Sequence, residues 1–419
     1  MSARRPSPGY ALLLLFLSNL LSTADRSLLG IVVDPIKAEL RLSDTEMSLV
    51  SGTAFVLFNL LVGLFIARWV DRGNRKHILV LGIGLWSAAT ALTGLAQGFV
   101  SLALARVLVG VGEATAFPVA ISMIADLYVA SRQPRAIGVY QSSIFVGLVL
   151  GSILAGVLAA AHGWRAMFVT CGLAGFALVL LLAATMREPE RTAGRDEAVP
   201  QDRNLIEAMS YLFAVRGFVL LSLGTGVSAM LAAVLPTWAP AFLMRNHGVG
   251  LASLGALIGP TVGLGGFAGT IAAGFLASRL TRWRGREADG LLVPIVALPL
   301  ATPFYLIFTF APSLLSTMAA AAVMNFLLSM GLGPCIAVAV GVAPQRMRAI
   351  SSTVMLIASG VIGGALAPVL VGLVSDALAH DAGADALRYA LVAMVPTPLA
   401  ASGLLWLTHR RISRGAPAG

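Results

Sequence analysis

Residues 67–76 read Ala-Arg-Trp-Val-Asp-Arg-Gly-Asn-Arg-Lys, a polar segment that closes one apolar run at about 47–70 and precedes another at about 77–96. Each run reaches roughly the 20 apolar residues that a helix needs to cross a hydrocarbon core. Four residues of the segment are basic, and lysine and arginine are enriched in cytoplasmic loops. The segment is therefore predicted to be a cytoplasmic turn between two membrane-spanning helices.

The composition of the whole chain extends this interpretation. Its 419 residues are 58% hydrophobic and 11% charged, with a mean hydropathy of +0.88, whereas about 25% of the residues of soluble domains are charged. A soluble globule is therefore excluded. Both cysteines, Cys171 and Cys335, lie in apolar runs, so neither a disulfide framework nor a zinc site is expected. The first apolar run is too long for a signal peptide and contains Asp25 and Arg26.

Apolar stretches bounded by charge, proline or glycine recur along the chain and predict an all-α integral membrane fold with twelve transmembrane helices. Their approximate limits are 9–33, 47–70, 77–96, 99–124, 134–160, 165–186, 216–245, 252–280, 291–311, 313–343, 349–376 and 386–409. Of the 29 basic residues, 22 fall in one alternating set of loops and five in the other. The first set, which includes both termini, is therefore predicted to be cytoplasmic. The formal charge of +10 then reflects topology, and no nucleic-acid partner is expected.

A long polar stretch at 187–203 divides the spans into two sets of six. We predict an N-terminal six-helix bundle at 1–186, a cytoplasmic linker at 187–215 and a C-terminal six-helix bundle at 216–419. The mixed charges of the linker are also compatible with a short surface helix, and the sequence leaves the two interpretations open.

An internal repeat supports the division into halves. Asp71 after span two parallels Ser278 after span eight at an offset of 207, and Arg135-Ala-Ile parallels Arg348-Ala-Ile at an offset of 213. Nearly equal offsets indicate parallel six-helix repeats. The alternative is that any inner loop attracts arginine, which would explain either match alone.

Four ionisable residues lie inside the predicted spans: Asp25 and Arg26 in span one, Arg106 and Glu113 in span four. Each costs on the order of 2.5–3.5 kcal/mol on insertion, and such residues usually face a cavity or a partner. A rise of about 1.5 Å per residue places Asp25 about 8 Å, Arg106 about 10 Å and Glu113 about 21 Å below the outer edge of the core. Arg106 and Glu113 are two turns apart and share one helix face.

These charges predict a polar column in which a carboxyl group gains and loses a proton. Burial favours the neutral form of a carboxyl group, and a nearby arginine favours its charged form. Movement of Arg26 or Arg106 would therefore load or release a proton on Asp25 or Glu113. The alternative is a static ion pair that joins spans one and four. The amide and aromatic residues that we consider as possible cavity lining are Gln141, Trp238, Phe242 and Asn325.

Several motifs resemble the Major Facilitator Superfamily. Asp71-Arg72-Gly73-Asn74-Arg75-Lys76 resembles the loop between its spans two and three, and Arg106-x3-Gly110-x-Gly112 resembles its span-four motif. More narrowly, the chain resembles the spinster family of lipid transporters and its bacterial relatives. The residues that carry this likeness are 25–26, 35–40, 42–44, 74, 110–114, 163–165, 238–243, 367–368 and 372–376. The departures from the family pattern are Ser22-Thr23-Ala24, Ala67 and Ser278.

The resemblance implies alternating access by two six-helix bundles and proton-linked movement of lysophospholipid or sphingoid-phosphate-like amphiphiles. It implies that Asp25 and Glu113 couple to protons, with Arg26 and Arg106 as their charge partners or as binders of a substrate anion. It also implies a cytoplasmic gate in which Asp71 bonds to the start of the span-eleven helix in the outward-open state. The predicted gate residues are Asp71, Arg72, Arg75, Lys76, Arg135, Arg279 and Arg348.

We therefore predict a monomeric, proton-coupled secondary transporter in the inner membrane of a bacterium, with protons, membrane lipid and a small-molecule or lipid-like substrate as its partners. No cofactor or metal is expected, and ATP-driven pumping is not expected because no phosphate-binding Gly-rich loop with Lys-Ser/Thr is present. The alternative within the same fold is a carrier or exporter of small organic anions, aromatic acids or drugs that uses Arg26 or Arg106 to hold an anion.

Two further classes fit the sequence less well. An integral-membrane enzyme acting on lipids needs a nucleophile, an acid-base pair or a metal cluster at one membrane face, and the five histidines are scattered without ligand spacing. A structural or receptor role gives no reason for paired charges at depth.

Overall fold

A computed structural model of the chain describes residues 7–129, 131–191, 205–344 and 347–415, and these form helices joined by short irregular segments, with no strand among them. The all-α expectation is therefore confirmed. The α-helices are α1 (Pro8–Ile31), α2 (Val33–Leu40), α3 (Asp44–Ser48), α4 (Phe55–Arg72), α5 (Arg75–Thr93), α6 (Phe99–Glu113), α7 (Ala116–Leu127), α8 (Gln133–Thr185), α9 (Leu205–Ala214), α10 (Phe218–His247), α11 (Leu251–Arg284), α12 (Leu292–Phe310), α13 (Leu314–Leu328), α14 (Leu332–Val342), α15 (Arg348–Ala358), α16 (Ala367–Ala382), α17 (Ala386–Val392) and α18 (Pro396–Gly415).

The polar segment 67–76 is a turn between two helices. It ends α4 at Arg72 and begins α5 at Arg75. The Asn74 side chain accepts a hydrogen bond from the His77 backbone N–H at 3.0 Å, which satisfies one of the amides that a helix start leaves unbonded. A short polar cap thus sets the point at which the chain turns back into the apolar layer.

Ten helical stretches within the described ranges are long and apolar enough to cross a membrane. Two of them, Arg135–Thr185 and Ile350–Ser413, each cover two predicted spans. Gly163 breaks the first stretch with φ 80° and ψ 161°, a conformation that favours glycine because it has no Cβ. In the second, a 3₁₀ turn at Gly383–Asp385 separates α16 from α17. The ten stretches are consistent with twelve spans.

Two spans contain wide helical turns. A π-helical segment, Leu49–Ala54, joins α3 to α4, and another, Ser359–Leu366, joins α15 to α16. Such segments open the regular backbone ladder locally and are often found at functional sites. Phe55, the first residue after the earlier segment, lies beside the buried charges described below.

The chain divides into two compact units. Unit 1 contains α1–α8 together with Thr237–Gly263, which is the outer end of α10 and the first part of α11. Unit 2 contains α9, the rest of α10 and α11, and α12–α18, with α12 packed against α13 and α18. The domain limits at 1–186, 187–215 and 216–419 stay a prediction, since residues 192–204 of the linker lie outside the described ranges.

Unit 1 is held by close contact between α5, α6, α1 and α8. Trp86 and Ile83 of α5 are fully buried in its core. A Cβ at Gly112 of α6 would lie 2.7 Å from both the Gly82 carbonyl oxygen and the Trp86 amide nitrogen. In lipid, helices associate largely through such close packing, so this small residue sets the spacing of α5 and α6.

Gly112→Ala is expected to force α5 and α6 apart and to lower the stability of the chain by about 1–3 kcal/mol, the usual cost of overpacking. The matched control is Gly84→Ala on α5, where an added Cβ meets nothing within 4 Å. Thermal unfolding of the purified protein in detergent measures both. Equal changes in the two variants would contradict the assigned contact.

Candidate functional site

The four charges inside the spans form two ion pairs within unit 1. Arg106 Nη1 lies 2.9 Å from Asp25 Oδ2, and Arg26 Nε lies 2.7 Å from Glu113 Oε2. The two pairs thus join α1 to α6 at two points. The Phe55 ring lies beside both guanidinium groups. Its centroid is 4.9 Å from Arg26 Cζ and 5.7 Å from Arg106 Cζ. The aromatic face adds a cation–π contact to each arginine.

Asp25 has both of its carboxylate oxygens bonded. Thr90 Oγ1 donates to Oδ1 at 2.6 Å, and Arg106 Nη1 donates to Oδ2 at 2.9 Å. Asp25 and Arg106 are both buried. Asp25 thus joins α1 to both α5 and α6.

Glu113 has one bonded oxygen and one unbonded oxygen. Oε2 accepts hydrogen bonds from Arg26 Nε at 2.7 Å and from Ser22 Oγ at 2.8 Å. Oε1 is buried and has no hydrogen-bond partner among the described residues. A buried polar atom without a partner carries a desolvation cost. Oε1 is therefore the oxygen of Glu113 on which a proton can reside, and protonation would remove the charge of the carboxylate.

Arg26 differs from Arg106 in its access to solvent. Its side chain is 48% exposed, whereas that of Arg106 is buried. Arg26 bonds Glu113 through Nε, and neither Nη group makes a hydrogen bond to any residue in the described ranges. Five N–H donors in a planar fork suit bidentate binding of a carboxylate or phosphate. Two of its three nitrogens are therefore available to an anion.

Further polar groups on α1 and α8 extend this site. Asn19 Nδ2 donates to Ser143 Oγ at 2.8 Å, and Asn19 lies close to one turn before Ser22 on α1. The buried Tyr140 hydroxyl of α8 has no hydrogen-bond partner in the described part of the chain. Sequence reasoning missed these hydroxyl and amide groups, because nothing in their spacing separates them from packing residues.

The bond between Arg26 and Glu113 joins residues whose estimated depths differ. Straight-helix geometry places Glu113 about 13 Å below Asp25, yet Arg26, the neighbour of Asp25, reaches it. Helical side chains lean toward the helix N-terminus, which on α1 is the predicted inner side. Ser22 lies one turn closer to that side and also bonds Glu113. The Arg26 side chain leans inward and the Glu113 side chain leans outward, toward the start of α6, and both directions shorten the distance between them.

Arg75, one of the predicted gate residues, is buried at the inner end of unit 1. Its Nε lies 2.6 Å from Glu188 Oε1, its Nη2 donates to the Pro189 carbonyl at 2.8 Å, and its Nη1 bonds Asp126 and Ser122. Arg75 therefore joins the start of α5 to α7 and to the chain that leaves α8. Glu188 and Asp126 were not among the residues that the sequence singled out.

The other predicted gate residues are more open. Lys76 Nζ donates to the Ala183 carbonyl at 2.7 Å. The backbone carbonyl of Asp71 accepts a hydrogen bond from Arg191, and its predicted bond to the span-eleven helix stays a prediction. The gate residues with exposed side chains are Asp71, Arg72 and Arg135 in unit 1 and Arg279 and Arg348 in unit 2.

The candidate cavity residues lie in different surroundings. Trp238 and Phe242 of α10 are fully buried in unit 1, and Phe242 makes an edge contact with His247 at 5.7 Å between ring centroids. Asn325 is buried in unit 2, beside Gly265 of α11. Gln141 of α8 is half-buried. Their contact with a substrate stays a prediction.

A second charge cluster lies at the predicted outer end of unit 1. Arg245 of α10 donates from Nη2 to Asp34 Oδ1 at 2.6 Å and from Nη1 to Asp44 Oδ2 at 2.9 Å. Lys37 Nζ lies 2.6 Å from Asp44 Oδ1, and the guanidinium of Arg245 lies 5.9 Å from the Trp238 ring centroid. One arginine thus ties α10 to α2 and to the start of α3.

A smaller outer cluster surrounds Glu39 of α2. Arg165 Nε and Trp164 Nε1 donate to its carboxylate at 2.7 Å and 2.6 Å, and these two bonds hold the pKa of Glu39 below its usual range. Arg165 also donates to the carbonyls of Gly94 and Ala96. The residues that follow the break at 163 therefore connect α2, α5 and α8.

Arg245→Met is expected to destabilise the chain by about 2–3 kcal/mol, because it leaves the Asp34 and Asp44 carboxylates without their shared partner. The Arg245 side chain is partly exposed, which keeps the loss below that of a fully buried pair. Arg388→Met is the control, since among the described residues Arg388 forms an ion pair with the nearby Asp385 alone, and a single local pair is expected to contribute about 1 kcal/mol or less. Thermal unfolding in detergent measures both. A loss at Arg388 as large as that at Arg245 would contradict this assignment.

Comparison with known proteins gives three findings. Residues 15–368 match the family model described as Major Facilitator Superfamily. The chain is 31% identical over 402 residues to an "MFS-type efflux pump" of Mycolicibacterium smegmatis, a match that covers 94% of this chain and 91% of that protein. It is 32% identical over 398 residues to human "Protein spinster homolog 1", covering 90% of this chain and 75% of that protein.

A solved structure is similar over nearly the whole chain. The crystal structure of a bacterial homolog to the human lysosomal transporter spinster, in an inward-facing and unoccupied conformation, aligns with a TM-score of 0.89 at 29% identity. The alignment covers 99% of this chain and 100% of that one.

Proposed function

This chain belongs to the Major Facilitator Superfamily and is a spinster-like, multi-pass membrane transporter, and we propose that it couples proton movement to the transport of a lysolipid- or sphingoid-type amphiphile. The observation that carries the coupling is the difference between the two buried acids. Asp25 has two bonded oxygens, whereas Glu113 has one buried oxygen without a described partner. We assign the proton to Glu113 and a structural role to Asp25.

Arg26 controls the protonation of Glu113 in this proposal. While its Nε bonds Oε2, the positive charge stabilises the carboxylate. When Arg26 moves away, a buried carboxylate without a charged partner is costly, and Glu113 takes up a proton. Return of Arg26 releases that proton. Alternating access then exposes the two forms to opposite sides of the membrane.

The substrate links to this cycle through the free part of the same arginine. The two Nη groups of Arg26 are open to an anionic headgroup, and a bound phosphate or carboxylate would compete with Glu113 for the guanidinium. Binding of the anion and protonation of Glu113 would therefore favour each other. The lipid-like class rests on the likeness to spinster proteins. The inner-membrane location and the monomeric state are part of the same proposal.

A second candidate substrate class is a small organic anion or drug. The half-exposed guanidinium of Arg26 suits a carboxylate of any size, and one relative is named an efflux pump. Under this alternative, proton coupling through Glu113 is unchanged and only the apolar part of the substrate differs.

Glu113→Gln in proteoliposomes is expected to abolish accumulation driven by an imposed pH gradient while leaving substrate exchange across the membrane, because glutamine keeps the shape of the carboxyl group but cannot release a proton. Glu39→Gln is the charge-matched control and is expected to keep gradient-driven uptake, since Glu39 lies on α2 outside the spans. Unchanged gradient-driven accumulation in Glu113→Gln would refute the coupling role.

The substrate class is tested by uptake of a lysophospholipid and of a small aromatic carboxylate, each with and without a pH gradient, in the wild type and in Arg26→Gln. We expect gradient-dependent uptake of the lysophospholipid and at least a tenfold loss in Arg26→Gln, about the effect of one charge-assisted hydrogen bond. Uptake of the carboxylate alone would overturn the lipid class and leave the fold and the coupling site intact.

A further inference from the structure

We propose that the predicted inner end of unit 2 binds the headgroups of anionic phospholipids. The surface consists of five arginines, Arg216, Arg284, Arg286, Arg410 and Arg411, and is called the headgroup surface below. All five side chains are exposed. They come from three segments of the chain, and two contacts bring these segments together.

The first contact joins the end of α11 to the end of α18. His409 Nε2 of α18 lies 2.7 Å from Asp289 Oδ1, and Asp289 belongs to the 3₁₀ turn Glu287–Leu291 that follows α11. Arg286 immediately precedes this turn, and Arg410 immediately follows His409. The bond therefore places two groups of arginines on neighbouring parts of one surface.

The second contact adds the start of α10. Gly217 has φ +85°, and a Cβ at this position would lie 3.7 Å from Arg411 Cβ and 3.3 Å from Ile412 Cγ1. The turn before α10 thus rests against the last turns of α18. Arg216, the residue before this glycine, is brought next to Arg411.

The charges of the headgroup surface are not balanced within the described protein. None of its five arginines forms an ion pair with a described residue, whereas the buried Arg75 of unit 1 has two carboxylate partners. Of the adjacent acids, Asp289 is buried and bonded to His409. Glu287 is exposed, and its carboxylate lies against Gly341 of α14. Five exposed arginines beside this one exposed acid leave the surface with a net positive charge. The charge balance therefore favours an external anion.

Aromatic side chains place this surface at the level of lipid headgroups. Trp283 is 77% exposed and Trp406 is 45% exposed. The guanidinium of Arg284 lies 5.8 Å from the ring centroid of Trp283, and that of Arg410 lies 4.5 Å from the ring centroid of Trp406. Exposed tryptophan concentrates at the interface between lipid and water. Arginines beside such rings meet lipid phosphates, and this favours a lipid over a soluble anion as the occupant.

The test is a titration of the full-length purified protein with dioleoyl phosphatidylglycerol. Dioleoyl phosphatidylcholine and glycerol phosphate are titrated separately for comparison. Binding is measured as the shift in the thermal unfolding temperature. Arg286→Gln/Arg411→Gln is expected to weaken phosphatidylglycerol binding about 25-fold. This follows from about 1 kcal/mol for each arginine near an anionic surface and a tenfold change for every 1.4 kcal/mol. The pair Arg284→Gln/Arg410→Gln, with exposed side chains from the same surface, gives an independent second measurement.

The control for general attraction to positive charge is Arg41→Gln, which removes an exposed arginine from the predicted outer side of unit 1. It is expected to bind phosphatidylglycerol as the wild type does. Equal loss of affinity in this control would overturn the proposal, because the effect would then be general. Full binding by both unit 2 variants, or an equal shift produced by phosphatidylcholine or by glycerol phosphate, would also overturn it.

Discussion

A charge inside a membrane must be compensated, and in unit 1 this constraint is met to different degrees at two acids. Asp25 receives donors at both oxygens, from Thr90 and Arg106. Glu113 receives donors at one oxygen only. Each acid has one charged and one neutral donor, but the two donors of Glu113 share one oxygen and leave the other buried without a described partner. Because such an oxygen carries a desolvation cost, the acid with both oxygens bonded is suited to a fixed role and the acid with an unbonded oxygen to gain and lose a proton. The proposed division of labour follows from this difference.

The same pairing rule holds at both ends of unit 1. Arg75 contacts Glu188 and Asp126 at the inner end, and Arg245 contacts Asp34 and Asp44 at the outer end. In each case one planar guanidinium holds segments that are far apart in sequence. The bidentate fork of arginine makes this possible, whereas lysine offers a single charged nitrogen. Packing between helices, as at Gly112, acts between these two points.

Much of the fold could be predicted because its signals are local. Apolar runs and the distribution of arginine indicated the helices and their orientation, and the insertion cost of charge selected the four ionisable residues inside the spans. The partners of these residues could not be predicted. Thr90 and Ser22 bond carboxylates, yet Ser18 of the same α1 bonds its own helix at the Leu14 carbonyl, as helical serines commonly do. Only the packing of α1 against α5 and α6 decides which hydroxyl meets an acid.

The long-range clusters were missed for a related reason. The partners of Arg245, Asp34 and Asp44, lie 211 and 201 residues earlier. Pairing over such a separation leaves no local pattern in the sequence. The break at Gly163 agrees better with the sequence, since it lies between the predicted spans at 134–160 and 165–186.

The central claim, that Glu113 carries the proton, is tested most directly by infrared difference spectroscopy between high and low pH on the purified protein. The account predicts a C=O stretch of a protonated carboxyl group that titrates in the wild type and in Asp25→Asn and is missing in Glu113→Gln. Persistence of this band in Glu113→Gln, or its loss in a folded Asp25→Asn variant, would contradict the account.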